Sequence, residues 1–172
     1  MDEFTAWTLG VVSTAIGVVL GFALTGVREM MNKQREIRGH WFALRADIIR
    51  AGAGARGYLQ GGVKVPAGRL PIRSYANNYP SLLMNGLLSE QDIEHLSRFF
   101  DNAENYNRSL DYAQEAIGAN ADNLDREVKR VILKAQKLAA GQEGESTQYD
   151  AALGVVNNHI RQRTGYQLLW LW

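Results

Sequence analysis

The chain has 172 residues, with 19 basic and 18 acidic side chains and a formal net charge of +1, a balance that gives no general nucleic-acid surface. It has no cysteine and three histidines, which excludes disulfides, thiolate metal sites and a His-rich metal centre, and fits a reducing compartment. No cofactor or metal is expected.

From Phe4 to Val27 the chain carries no charge. At about 1.5 Å per residue this run makes a helix of roughly 36 Å, enough to cross a hydrocarbon core of about 30 Å with some tilt. A helix satisfies its own backbone groups in lipid. A cleaved signal peptide starts basic and has a shorter apolar core, whereas this chain starts Met1-Asp2-Glu3. No Lys or Arg precedes the run, while Arg28, Lys33, Arg35 and Arg38 follow it. Basic flanks stay on the cytoplasmic side, so the expectation is a single-pass protein of a bacterial inner membrane with its N-terminus outside. Residues 1–27 are the transmembrane anchor and 28–172 a cytoplasmic helical bundle domain. Without Asp2 and Glu3, 16 acids face 19 bases, so that domain is only slightly basic.

Ser13, Gly17, Gly21 and Thr25 fall four apart within the run, and Gly10 lies near the same face. Small residues let backbones approach and gain dispersion contacts in lipid, where no hydrophobic force drives helices together. The ladder therefore predicts a homo-oligomer. No ionisable group lies in the run, so a proton relay or charged filter is not expected.

The rest of the chain reads as all-α, with no strand pattern. Ile37, Trp41, Leu44, Ile48, Ala51 and Ala55 recur at helical spacing, with Arg38, Arg45, Asp47 and Arg50 on the opposite face. Trp41 lies about three turns past Arg28, too far to anchor at the interface, and is expected to pack in the soluble part. Gly52-Ala53-Gly54-Ala55-Arg56-Gly57 matches a dinucleotide GxGxxG by letter. It lacks the preceding strand, and Asn77 stands where the acid should be, so close helix packing is the reading. Gly61-Gly62 ends this helix, and residues 61–74, with Pro66 and Pro71, read as a loop.

A short helix should run from Ser74 or Tyr79 to Asn85 and stop at Gly86, with Ser89 capping the next. In that next helix Ile93, Leu96, Phe100, Ala103, Asn107, Leu110, Gln114 and Ile117 step by threes and fours, a seam in which Asn107 and Gln114 exchange stability for register. Leu124, Val128, Val131, Ala135 and Leu138 mark a further helix. After the loop 141–147, the last is expected from about Gln148 to Trp172. The architecture is an antiparallel bundle of four main helices, the first continuous with the anchor. The apolar end Gly165–Trp172 is expected to pack against protein.

Two polar patterns bear on function. Arg35 and His40 fit a loose Arg-x4-His pattern that pairs a cation for phosphate with a general acid or base. On this basic flank they read instead as part of the positive collar. Asn158, His159, Arg161 and Arg163 form the candidate contact for a nucleotide phosphate or RNA. Asn158 shares a face with Arg161 and Gln162, and His159 shares one with Arg163. No catalytic residue is assigned.

The stretch Trp41–Leu110, with HWFALRADIIRAGA, RLPIRSY and GLLSEQDIEHLSRFFDNAENYNRSL, resembles small single-pass bacterial membrane proteins of antiphage systems. Among these are the HEPN-like membrane accessory proteins of Cas13b CRISPR systems, which assemble into membrane pores. The Asn158-His159 pair is similar to the Asn-His part of their degenerate motif. Asp150, Ala151 and Ala152 stand where that motif has its Arg, which argues against nuclease chemistry. The resemblance implies an oligomeric membrane effector that permeabilises the inner membrane in defence. The alternatives are a membrane-tethered adaptor for a cytoplasmic partner and a HEPN-like ribonuclease. The bilayer, further copies of the chain, and a protein partner or signalling nucleotide are the expected partners.

Overall fold

The computed structural model describes the backbone of residues 3–62, 68–119, 122–139 and 147–168, and side chains from 13 to 162 within those ranges. The described residues form five helices and no strand: α1 Glu3–Gly61, α2 Arg73–Met84, α3 Glu90–Gly118, α4 Leu124–Ala139 and α5 Gln148–Leu168. The fold is all-α, and the chain divides into two units, Met1–Arg38 and Gly39–Trp172.

In the first unit the large apolar side chains of α1 described from Ile16 to Val27 are exposed, whereas Ile37 is buried. Ile16, Val19, Leu20, Phe22 and Leu24 are all more than half exposed, Phe22 at 77%. This is the one helix among the described residues long and apolar enough to cross a membrane. Thr25 Oγ1 donates to the Gly21 carbonyl at 2.9 Å, which satisfies its hydroxyl within the helix.

In the second unit α1 turns amphipathic. Trp41, Leu44, Ile48, Ala51 and Ala55 are buried, as their spacing predicts. Trp41 is wholly inside the second unit, in agreement with the expectation that it packs against protein. The glycines of 51–57 are explained by packing. A Cβ on Gly52 would overlap the Tyr149 ring of α5, and one on Gly54 would lie 2.7 Å from Leu70 Cδ2. Gly62, at φ +69°, supplies the left-handed residue that ends α1.

Asp47 departs from its expected place on the solvent face. It is 7% exposed, and its Oδ2 accepts from the Ser74 backbone N–H at 2.8 Å. Ile72 precedes α2 and offers no side-chain cap, so a carboxylate from α1 satisfies that N-terminus in its place. α2 then lays Tyr75 flat on Phe100 of α3 with centroids 4.3 Å apart, and the Tyr75 and Tyr79 hydroxyls both lie 3.2 Å from Ser97 Oγ. Asn85 closes α2 and Gly86, at φ +62°, turns the chain, as the sequence predicts.

α3 opens with a reciprocal cap. Ser89 Oγ accepts from the Asp92 N–H at 3.1 Å, and Asp92 Oδ2 accepts from the Ser89 N–H at 3.0 Å. The expected seam positions Leu96, Phe100, Ala103, Asn107 and Leu110 are buried, but so are Phe99, Tyr106, Ala113 and Ala116. The stripe is wider than a two-helix seam because other elements pack on more than one side of α3. Asn107 does not face another helix's seam. It clamps Leu70 of the segment before α2, with Oδ1 accepting from Leu70 N at 2.7 Å and Nδ2 donating to Leu70 O at 2.9 Å.

The short connection after Gly118 folds α4 back antiparallel to α3. α5 is antiparallel to α3 as well: Gln148 at its start meets Asn102 at 2.9 Å, and His159 further on meets Asp92. It is also antiparallel to the second part of α1, since Tyr149 lies at Gly52 and His159 at Trp41. Ala152, Val155 and Val156 bury the α5 face between these contacts. Thr147 caps α5, accepting from the Asp150 N–H at 2.9 Å.

Candidate functional site

The clearest polar constellation joins three helices. α1 supplies Trp41, α3 supplies Asp92 from its capping turn, and α5 supplies His159. The imidazole stacks on the Trp41 indole with centroids 4.4 Å apart and planes 7° from parallel. His159 Nε2 lies 3.0 Å from Asp92 Oδ2, the same oxygen that accepts from Ser89. Both side chains are mostly covered, at 17% and 21% exposed. Burial pushes the Asp92 carboxyl up. The Ser89 backbone N–H, His159 and the Ser89 hydroxyl together outweigh burial and hold it below the usual aspartate value. One turn along α1, Arg45 Nε donates to Asn157 Oδ1 at 2.9 Å.

The sequence-predicted cluster is divided by this geometry. His159 faces the bundle, while Asn158 and Arg161 are exposed. The Arg163 side chain and residues 169–172 lie outside the described residues, so the expected packing of the apolar end does too. The His159–Asp92 pair orients an imidazole, but the contact that completes it is the Trp41 ring rather than a nucleophile. Its chemistry is that of a tertiary clasp. Asp92 was legible as a cap residue only; its second role depends on α5 arriving beside it.

Along α1, Ser13, Gly17, Gly21 and Thr25 are exposed, and nothing lies within 4 Å of where a Cβ would stand on Gly17 or Gly21. The surroundings of Gly10 lie outside the described residues. Arg28, Lys33 and Arg35 are exposed, whereas Arg38 and His40 are half-buried.

A shallow open cavity of about 380 Å³ lies at the α3–α4 turn, lined by Tyr112, Glu115, Asn123, Glu127 and Arg130 among others. The Glu127 side chain is 5% exposed and is held by Arg130 at 3.0 Å and Arg126 at 3.2 Å. Glu127 lies between Leu124 and Val131 on the apolar spacing of α4, which is the signal in the sequence that it is covered. Among the described residues no group of three or more His, Cys, Asp or Glu is placed to hold a metal. No protein family, curated protein or solved structure matches this chain.

Proposed function

We propose that this chain is a single-pass membrane effector that assembles through α1 and permeabilises a bacterial inner membrane, with antiphage defence as its setting. The observation that carries this reading is the charge-free stretch of α1, in which the described large apolar side chains from Ile16 to Val27 are exposed. The small-residue line Ser13–Gly17–Gly21–Thr25 supports assembly of the anchors, since it leaves room for a neighbouring backbone. The basic residues after Val27 support a cytoplasmic bundle and an outside N-terminus. In this reading the bundle holds the assembly and receives the activating signal, a protein partner or a nucleotide. His159 is engaged by Asp92 and Trp41, which favours a structural role over a ribonuclease.

The test is dye release from vesicles carrying the purified protein, with its size measured in detergent. Gly17→Leu and Gly21→Leu keep the segment apolar but remove close approach, so both should lose assembly and release together. His159→Ala should leave release in place if the bundle still folds. Active glycine variants alongside an inactive His159→Ala would overturn the pore reading in favour of the ribonuclease.

A second reading is a membrane-tethered adaptor. Leu83 and Met84, at the end of α2, are 40% and 88% exposed and offer an apolar contact for a cytoplasmic protein. It gains if neither set of variants changes membrane permeability.

A further inference from the structure

The two sides of α4 differ in kind. Val131, Ala135 and Leu138 are buried, and the helix packs against α3. On the other side Arg126, Arg130, Leu133 and Lys137 step by four, three and four, with Lys129 beside them. All five are exposed, Leu133 at 58%. From Val128 to Ala139 the helix contains no acid. Two exposed acids border this face at its start: Asp125, next to Arg126, and Glu115 of α3, which lines the turn cavity with Arg130.

This arrangement costs stability. Arg126 stands three and four residues from Lys129 and Arg130, Arg130 four from Lys134, and Lys134 three from Lys137. Like charges at these spacings repel across one helix turn. The covered Glu127 relieves the two arginines, holding Arg130 at 3.0 Å and Arg126 at 3.2 Å. Lys129, Lys134 and Lys137 have no ion pair among the described residues. A partner's carboxylates would supply the missing counter-charge. They would meet two guanidinium groups already held in place, which lowers the ordering cost of binding.

Leu133 selects among anionic partners. Each of the four exposed cations lies within about 60° of it around the helix axis. A nucleic-acid strand would stack its bases on aromatic rings, and α4 has none. A helix lying on anionic lipid inserts its apolar face, but the apolar face of α4 is already buried. An acidic protein segment that carries an apolar side chain matches both parts of the surface, the cations and the leucine.

We infer that the outer face of α4 is the docking surface for an acidic segment of a protein partner. Its carboxylates meet Arg126, Lys129, Arg130 and Lys137, and its apolar side chain covers Leu133. The inference rests on the proposed role of the bundle as receiver of the activating signal, and names the chemistry of the partner. Dye release by the α1 glycine variants tests membrane action separately, so the two readings can fail independently.

The test uses the full chain in a non-ionic detergent and two labelled peptides of equal charge, one of Glu and Leu and the other of Glu and Ser. Protein-free micelles serve as the blank. Fluorescence anisotropy should show the Glu/Leu peptide bound roughly tenfold tighter, the effect of one covered leucine. Leu133→Ser should abolish that difference while the Glu/Ser peptide keeps its affinity. Lys129→Glu/Lys137→Glu should weaken both peptides roughly tenfold or more, and added salt should weaken the parent likewise. Arg50→Glu/Arg98→Glu makes the same change in charge at exposed positions of α1 and α3 and should leave both peptides bound. Circular dichroism checks the helices of each variant, and Lys129→Ala/Lys137→Ala, expected to weaken binding by a smaller factor, replaces the reversal if that variant unfolds. Equal binding of the two peptides overturns the inference. So do charge reversals on and off α4 that act alike, or a labelled single-stranded RNA that binds more tightly than the Glu/Leu peptide.

Discussion

The side-chain amide of Asn107 pairs with the backbone of Leu70 through two hydrogen bonds, 2.7 Å and 2.9 Å long, across 37 residues of chain. Leu70 is 3% exposed, so neither of its peptide groups has water to turn to. As a seam residue, Asn107 would be expected to cost stability, and Asn107→Leu to raise it. The clamp reverses that sign. Asn107→Leu leaves a buried N–H and a buried C=O unpaired, at about 1–3 kcal/mol each. Chemical denaturation of the full chain in detergent should show a loss of about 2–4 kcal/mol. An unchanged or raised midpoint would show that the clamp contributes nothing.

The His159–Asp92 contact sets an acid limit. Asp92 titrates below the ordinary aspartate value, so its stabilising contribution is complete above that value. It is lost as pH falls through the lowered value in the folded state. Melting temperature against pH should therefore fall on the acid side, and Asp92→Asn should flatten that fall. His159→Ala should also lower the melting temperature, because it removes both the carboxylate contact and the Trp41 stack, on the order of 1–2 kcal/mol together. A variant with an acid branch as steep as the parent's would place the titrating group elsewhere.

Two glycines of α1 should respond in opposite directions. Gly52→Ala drives a methyl into the Tyr149 ring and should destabilise the bundle by about 1–3 kcal/mol. Gly57→Ala meets open space in a helix and should stabilise it by up to about 1 kcal/mol. Adding Tyr149→Ala to Gly52→Ala should recover part of the loss, although Tyr149 also carries the Arg56 guanidinium 4.7 Å from its ring centroid. Thermal melts of the three variants decide the matter, and equal effects at Gly52 and Gly57 would contradict the close α1–α5 approach.

Topology can be read by thiol labelling in intact cells. A cysteine placed before Phe4 should react with an impermeant reagent, and one placed at exposed Asn158 should react only after lysis. The reverse pattern would put the bundle outside.

Helix type and boundaries were legible in the sequence because they depend on local spacing and local chemistry. The charge-free run, the helical stripe from Trp41 to Ala55, the stops at Gly62 and Gly86 and the cap at Ser89 each follow from neighbours within a few residues. Long-range partners were not legible, because nothing local selects them. Asp47 reads as a surface acid until α2 brings its bare N-terminus alongside. Asn107 reads as a seam residue until the chain before α2 lays Leu70 against it. His159 reads as one of a basic cluster until the antiparallel run of α5 sets it on Trp41 and beside Asp92. Local periodicity thus determined the apolar stripes that turn inward, while the tertiary structure decided how wide they are and which buried polar groups meet, because a desolvated donor or acceptor is stable only where another element supplies its partner.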